Sequence, residues 1–225
     1  MLSLDESSKP PFSAEECRIL GCLLEKQLTT PNNYPLSLNA LTQACNQKTS
    51  REPLMNLTED NVGHIARSLI EFGWVIIQNS GRTQRIEQRA TQKLKLTSQQ
   101  QAVLAVLLLR HPQTLKELKS RTERMADFSS VTEIETLLES WINQEAALVI
   151  KLAPNAGQRE ARYYHTWGVD TLNDWTSHDG NNATSNPKSS SKTKTYEELL
   201  DKIDALEQRI SILESKLSHT QQSSH

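Results

Sequence analysis

Apolar positions recur with a helical period in two long stretches of the chain, residues 13–89 and 97–167. The first helix of each stretch carries the same apolar pattern at a constant offset of 84 residues. The matching positions are Ile19, Leu20, Leu23 and Leu24 in the first stretch and Val103, Leu104, Leu107 and Leu108 in the second. In both stretches a short second helix, an amphipathic third helix and two strands follow. This is the winged-helix order, so the sequence predicts two tandem winged-helix domains, each burying one helix stripe.

Most of the predicted helices begin at a Ser or Thr that is followed three positions later by Glu or Gln. Such a pair satisfies two backbone donors at the start of a helix. The pairs are Ser13 with Glu16, Thr97 with Gln100, Thr114 with Glu117, Ser130 with Glu133 and Thr195 with Glu198. Ser37 and Thr58 begin helices without this partner. These residues predict where helices start, and they indicate no chemistry.

The third helix of each stretch separates an apolar face from a polar face. In the first stretch Val62, Ile65, Ala66 and Leu69 point inward, and in the second stretch Ile134, Leu137, Leu138 and Trp141 do so. Residues 74–78 and 82–89 predict one β-hairpin, and residues 148–152 and 161–167 predict another. The predicted fold class is therefore mainly α with small β-hairpins (α+β).

The length of 225 residues, 36% of them hydrophobic, allows two small cores and a tail. Residues 176–194 are Ser, Asn, Thr, Lys and Gly with almost nothing apolar, which predicts a flexible linker. The predicted boundaries are an N-terminal extension (1–12), two winged-helix domains (13–92 and 93–175), the linker (176–194), a coiled-coil helix (195–218) and a disordered tail (219–225).

The C-terminal helix has an apolar seam with the 3.5-residue period of a coiled coil. Its seam positions are Tyr196, Leu199, Ile203, Leu206, Ile210, Leu213 and Leu217. Isoleucine at most a positions and leucine at the d positions favour two parallel strands. We therefore expect a homodimer formed by this helix. The alternative is a helix that docks on the domains of its own chain, because three heptads are marginal in water.

Several sequence features exclude other classes of protein. No apolar run approaches the roughly 18 residues of a membrane span, and the first 12 residues do not resemble a signal peptide, so we expect a cytoplasmic protein without membrane contact. Cys17, Cys22 and Cys45 lack CxxC spacing, and the six histidines lack HxxxH spacing. We expect buried thiols, no metal and no cofactor.

The winged-helix order makes the third helix and the hairpin candidates for DNA binding. The candidate nucleic-acid-binding residues are Lys48, Arg51, His64, Arg67, Arg82 and Arg85. Carboxylates lie between them, and the formal net charge is −2, so an ordinary mixed-charge surface is the alternative. The third helix of the second stretch carries Glu135 and Glu139 outward, so the first domain is the better candidate for reading DNA.

The segment between the second and third helices of the first stretch, residues 46–57, is polar and long. A helix-turn-helix protein has about three or four residues at this point. Two interpretations stay open. The segment packs on its own domain, or its Arg and amide side chains form a surface for a partner or a phosphate.

Two sequence runs resemble the YceH family of uncharacterised bacterial proteins. The runs are RILGCLLEKQLTTPNNYPLSLNALTQACNQKTSREPLMNLTE (18–59) and LLLRHPQTLKELKSRTERM (107–125). The resemblance covers about residues 13–167 and implies a tandem winged-helix protein. It implies no activity, substrate or catalytic residue.

The chain shows no recognisable catalytic motif. It has no Ser/His/Asp, Cys/His or paired-carboxylate arrangement with local motif context, and its seven glycines form no phosphate-binding loop. His165 lies among Tyr163, Tyr164 and Trp167, which indicates a structural histidine. We therefore expect no enzyme. The first hypothesis is a DNA-binding protein, possibly a regulator of transcription, and the second is a protein-interaction or assembly module.

Overall fold

The computed structural model describes residues 12–80, 83–154 and 158–168. Within these residues the chain is mainly helical, with two small antiparallel hairpins, and this confirms the predicted α+β class. The helices are α1 (Ala14–Thr29), α2 (Leu38–Cys45), α3 (Glu59–Glu71), α4 (Ala90–Leu94), α5 (Ser98–Leu109), α6 (Leu115–Thr122) and α7 (Val131–Ile142), and a 3-10 turn covers Pro31–Asn33. The strands are β1 (Val75–Ser80), β2 (Thr83–Gln88), β3 (Val149–Leu152) and β4 (Arg162–His165).

The helices begin at the predicted cap residues. Ser13, Thr97 and Thr114 each form a complete capping box with the Glu or Gln three positions later. Ser130 accepts a hydrogen bond from the backbone of Glu133, but the carboxylate of Glu133 binds Ser129 and Gln99. At α7 the second hydrogen bond of the predicted capping box, to the Glu133 side chain, is therefore replaced by contacts with residues outside the helix.

The order of helix, helix, helix and hairpin occurs twice, and in each repeat one further residue joins the hairpin. Leu36 exchanges two backbone hydrogen bonds with Ile86 of β2, at 3.1 and 2.7 Å. Gln113 does the same with Tyr163 of β4, at 3.0 and 2.7 Å. The hairpins themselves pair from Val75 opposite Gln88 and from Val149 opposite His165. Each repeat therefore has a third, single-residue strand between its first two helices, which sequence patterns did not predict.

The two repeats share one hydrophobic core, which corrects the expectation that each repeat buries its own. Every residue of α5 from position 101 to position 109 is buried, because α1 packs along one side of α5 and the second repeat packs along the other. Gly21 marks the closest approach, since a Cβ atom there would lie 2.9 Å from the side chain of Leu109. The boundary at residues 92 and 93 stays a prediction.

A buried hydrogen-bond network also connects the repeats. The side-chain amide of Gln101 on α5 donates to the backbone carbonyl of Leu24 (3.0 Å) and to the side-chain carbonyl of Gln27 (2.9 Å) on α1. Gln27 accepts a second bond, 2.7 Å long, from Gln88 of β2. Because Gln88 and Gln101 are both buried, these amides would be costly to leave unpaired. The contact between the repeats therefore combines apolar packing with buried polar contacts such as these.

The two ends of the described region also meet. The backbone N–H of Phe12 donates to the carbonyl of Trp167 at 2.6 Å. The rings of Phe12, Trp74 and Trp167 lie 5.2 Å apart in each pair, a distance at which aromatic rings attract. Trp74 follows α3, so these rings attach both ends of the region to the first repeat.

Among the residues that the structure describes, no helix is long and apolar enough to cross a membrane. The predicted linker, the coiled-coil helix with its seam residues, and the tail lie outside the described residues.

Candidate nucleic-acid interface

Helix α3 presents part of the predicted interface to solvent. Thr58 caps the helix, and Val62, Ala66 and Leu69 are buried, so the opposite face points outward. His64 and Arg67 are exposed on this face, three positions apart and therefore side by side. The same helix carries three exposed carboxylates, at Glu59, Asp60 and Glu71. The exposed surface of α3 is thus mixed in charge, with more carboxylates than cations.

Arg51 lies in the interior, which corrects its assignment to the nucleic-acid surface. It is 2% exposed, and its guanidinium forms a two-pronged ion pair with Glu25, with N–O distances of 2.6 and 3.2 Å. Its Nε donates to the carbonyl of Ala44 at 3.0 Å. Burial alone lowers the pKa of Arg51, but the Cys22 sulfur and the Glu25 carboxylate outweigh burial and raise it. Arg51 therefore holds the fold together and does not face a phosphate.

The remaining candidates fall into three groups. Lys48 is exposed, like His64 and Arg67. Arg85 is half-buried, and its Nη1 donates to the carbonyl of Pro35 at 3.1 Å. Arg82 lies outside the described residues. Of the five candidates with described side chains, three are exposed, and the predicted basic surface is correspondingly smaller.

The segment 46–57 packs on its own repeat. The Asn46 side chain donates to the carbonyl of Leu57 (2.7 Å) and accepts from the N–H of Leu57 (2.8 Å), which closes the segment into a loop. The buried Arg18 reaches from α1 to the carbonyls of Cys45 (3.1 Å) and Pro53 (2.5 Å). The structure therefore agrees with the first of the two interpretations of this segment.

One side chain of this anchored loop stands out into solvent. Leu54 is 65% exposed, more than any other large apolar side chain among the described residues. The neighbouring Glu52 fixes the loop to the second repeat, because its N–H donates to the carbonyl of Leu109 at 2.9 Å. Sequence reasoning did not identify Arg18 or Leu54, because the burial of one and the exposure of the other depend on contacts between distant segments.

The second repeat distributes its charges differently. Helix α7 carries Glu133, Glu135 and Glu139 and neither Lys nor Arg. The exposed cations of this repeat lie on and after α6, where Lys116 pairs with Glu160 at 2.6 Å. A groove of about 300 Å³ lies between these two helices and the hairpin, with Leu115 and Tyr163 among its lining residues. The acidic outer face predicted for the third helix of this repeat is present.

His165 is a buried histidine of the second hairpin. It is 2% exposed, and its Nδ1 has no hydrogen-bond partner among the described residues. Burial lowers the pKa of His165 to about 3, so the ring is neutral at pH 7. The strand register places His165 where the first repeat has the buried Gln88. These features agree with the predicted structural histidine.

Comparison with known proteins finds one matching family model. Its description is "Protein of unknown function, DUF480", and it matches residues 12–158. A UPF0502 protein of Ectopseudomonas mendocina is 50% identical over 158 residues, which are 70% of this chain and 72% of that protein. A UPF0502 protein of Vibrio campbellii is 44% identical over 165 residues, 70% of this chain and 76% of that protein. The UPF0502 protein PSHAa0076 of Pseudoalteromonas translucida is 41% identical over 212 residues, 92% of this chain and 98% of that protein.

Proposed function

The chain belongs to the DUF480 (UPF0502) family of uncharacterised bacterial proteins, as its resemblance to the YceH family predicted, and we propose that it is a non-catalytic protein-interaction module. In this proposal the two repeats form one rigid scaffold, and the exposed faces of α3 and α7 bind a protein partner. The proposal takes this scaffold to have the winged-helix arrangement that the sequence predicts.

The charge on the third helix of each repeat, α3 and α7, carries this proposal. Affinity for DNA comes largely from Lys and Arg side chains that neutralise phosphates. Helix α7 has three carboxylates and no cation, and α3 has three carboxylates and the single Arg67. A phosphate backbone would be repelled by α7 and attracted by α3 at one position only. Mixed polar surfaces of this kind are common in protein interfaces.

The anchored loop 46–57 gives further support. Leu54 is held outward by a loop that is fixed at Cys45, Pro53 and Leu57. Because the loop around Leu54 is already anchored, a partner that covers this apolar side chain does not have to order the loop, which makes it a favourable contact for another protein. This feature has no role in contacting phosphates.

Site-specific photo-crosslinking tests the proposal. A photoreactive amino acid is placed at the exposed positions Asn61 on α3 and Glu139 on α7, and at exposed Lys95 between the repeats as a control. We expect discrete protein adducts from positions 61 and 139, resistant to nuclease and absent at position 95. Adducts that disappear with nuclease, or identical adducts from all three positions, would contradict the proposal.

DNA binding by the first repeat is the second candidate function. The observation that favours it is the exposure of Lys48, His64 and Arg67 in a repeat whose element order matches that of winged helices. Under this alternative, α3 enters the major groove and the second repeat stays away from the duplex.

A further inference from the structure

The groove of the second repeat combines apolar lining residues with charged ones. It lies between α6, α7 and the hairpin of β3 and β4, and its volume is about 300 Å³. The apolar and aromatic lining residues are Leu115, Val131, Ala161 and Tyr163. Leu115, Val131 and Ala161 are only partly buried, so the groove presents apolar surface to solvent.

The charged residues of the groove are not equally well paired. Lys116 of α6 and Glu160 form an ion pair at 2.6 Å. Lys151 of β3 places its ammonium group over the ring of Tyr163, 5.6 Å from the ring centre. Glu135 of α7 is half-buried, and among the described residues its carboxylate forms no hydrogen bond or ion pair. The α7 side of the groove therefore carries a carboxylate without a cation in direct contact.

The neighbouring surface of α7 adds to this negative charge. Glu139 is exposed one helical turn after Glu135, and residues four positions apart lie side by side on a helix. Helix α7 contains no Lys or Arg that could pair with either carboxylate. The two carboxylates repel each other, so a cation brought by a partner is attracted by both. An arginine or lysine side chain is thus the electrostatic complement of this side of the groove.

The size and shape of the groove favour side chains of another protein over a free small molecule. Small-molecule sites measure about 300–1,000 Å³ and enclose most of the ligand. This groove is at the lower limit of that range, and it is open to solvent between two helices and a hairpin. The side chains that contribute most at protein interfaces are Trp, Tyr and Arg, which fill well-packed pockets of a partner.

The first repeat has different side chains at the equivalent positions. Gly63 of α3 corresponds to Glu135, since each follows the first buried residue of its helix. Ile77 of β1 corresponds to Lys151, since each lies opposite the residue that bridges to the single-residue strand. At these two positions the first repeat has no charge. A partner selected by charge at this place is therefore expected on the second repeat.

We propose that the groove of the second repeat binds a segment of a partner protein that is both basic and apolar. A large apolar side chain of this segment lies against Leu115, Val131 and Tyr163, and an adjacent arginine or lysine pairs with Glu135. This inference rests on the protein-interaction function proposed above and names the chemistry of the partner at α7. Lys151 limits the affinity, because its positive charge lines the same groove as the incoming cation.

Synthetic peptides test the proposal on the purified full-length protein. Each fluorescently labelled peptide carries a Trp, Phe or Leu and an Arg at varied spacing, and matched peptides replace the Arg by Glu or the apolar residue by Ala. Binding is measured by fluorescence anisotropy. We expect an Arg-containing peptide to bind, and both of its matched peptides to bind at least about tenfold more weakly. Absence of binding by every peptide, or equal binding of the Glu-containing peptides, would overturn the proposal.

Two substitutions in the groove should change the affinity in opposite directions. Glu135→Gln removes the carboxylate and should weaken binding of the best peptide by about tenfold. Lys151→Met removes the competing ammonium group and should tighten binding, which a misfolded variant would not do. Glu145→Gln is the control, because it removes the same charge at an exposed residue outside the groove, and it should leave the affinity unchanged. Wild-type affinity in Glu135→Gln would overturn the proposal.

Two other occupants of the groove are distinguished by the same experiments. Tryptamine, a small aromatic cation, would bind as tightly as the best peptide if the groove is a small-molecule site. An oligomeric state that changes in Glu135→Gln, measured by light scattering, would assign the groove to a second copy of this chain. Either result would overturn the proposal.

Failure of this inference is separable from failure of the proposed function. Protein adducts from positions 61 and 139, together with no peptide binding that depends on Glu135, would overturn the inference and leave the protein-interaction function in place. Absence of adducts at both positions would contradict the protein-interaction function itself.

Discussion

Arg85 and Arg162 occupy equivalent positions in the two repeats. Each lies on the second strand of its hairpin, one residue before the residue that bridges to the single-residue strand. Each donates from Nη1 to a proline carbonyl, Arg85 to Pro35 at 3.1 Å and Arg162 to Pro112 at 2.8 Å. An arginine that appears in the first repeat as a candidate phosphate contact therefore serves, in both repeats, to fasten the hairpin to the connection between the first two helices.

The substitution Arg85→Gln should destabilise the protein, because it leaves the Pro35 carbonyl without its donor. We expect a loss of about 1 kcal/mol in the free energy of unfolding, measured by urea denaturation. Arg67→Gln is the matched control on the exposed face of α3 and should change stability by less than about 0.5 kcal/mol. Equal effects of the two substitutions would show that the Pro35 contact contributes nothing.

Gly21→Ala should weaken the contact between α1 and α5. The added methyl group would lie 2.9 Å from Leu109 and 3.0 Å from Leu108, so the helices must move apart. We expect a loss of about 1–3 kcal/mol in the free energy of unfolding despite the better helix propensity of alanine. Gly63→Ala is the control, because its methyl group meets Leu38 at 3.4 Å. It should raise stability by about 0.5–1 kcal/mol. A stabilised Gly21→Ala variant would contradict the tight crossing.

His165 should make stability depend on pH. Burial lowers its pKa to about 3, whereas the unfolded chain protonates it near its ordinary value of 6.5. Between these values the unfolded state binds one more proton, so stability falls as the pH falls, by about 1.4 kcal/mol per pH unit. Above the upper value His165 contributes no pH dependence.

The variant His165→Gln tests this slope, because glutamine occupies the equivalent position of the first repeat. The free energy of unfolding is measured by urea denaturation at about pH 7.5 and at about pH 5. The stability lost between these two pH values should be about 2 kcal/mol smaller in the variant than in the wild type. Exposed His64→Gln should keep the wild-type difference. If His165→Gln loses as much stability as the wild type between the two pH values, His165 is not the source of the pH dependence.

Binding to mixed-sequence double-stranded DNA separates the two candidate functions. The protein-interaction proposal predicts no change in the fluorescence anisotropy of labelled DNA, even at low salt. The DNA-binding alternative predicts that the logarithm of the binding constant falls linearly with the logarithm of the salt concentration. It also predicts that binding is lost in Arg67→Glu. Arg159→Glu, a reversal at an exposed residue of the second repeat, should then leave binding unchanged. Arg85 and Arg162 are unsuitable for this test because their reversal would disturb both hairpins.

The predicted coiled coil of residues 195–218 is tested by truncation. We expect the full-length protein to be a dimer and a chain ending near residue 186 to be a monomer by light scattering, because the truncation removes the entire seam from Tyr196 to Leu217. A monomeric full-length protein, or a truncated protein that is equally dimeric, would exclude this helix as the dimerising element.

Local sequence signals predicted the elements of the fold well. Cap residues fixed the starts of α1, α5 and α6, and the apolar stripe of α3 is buried at Val62, Ala66 and Leu69. Both effects depend on residues within a few positions of one another. The single-residue strands at Leu36 and Gln113 left no such signal, because one residue has no periodicity.

Long-range contacts explain why the candidate site was predicted less well. Arg51 looks like a surface cation in a polar loop, and only the fold brings Glu25 and Ala44 to its guanidinium. The same holds for Arg85, whose partner Pro35 lies 50 positions away along the chain. Charge patterns in a sequence report the number of cations, whereas their exposure is decided by segments that are distant in sequence.

The complete burial of α5 also has a consequence for synthesis on the ribosome. When the first 92 residues have emerged, the side of α1 around Gly21 has no helix to cover it, since α5 follows at Ser98–Leu109. Nascent chains with uncovered apolar surface are prone to aggregate or to be held by chaperones. We therefore expect the first repeat to complete its folding only after the start of the second has been translated, and the two repeats to mature together.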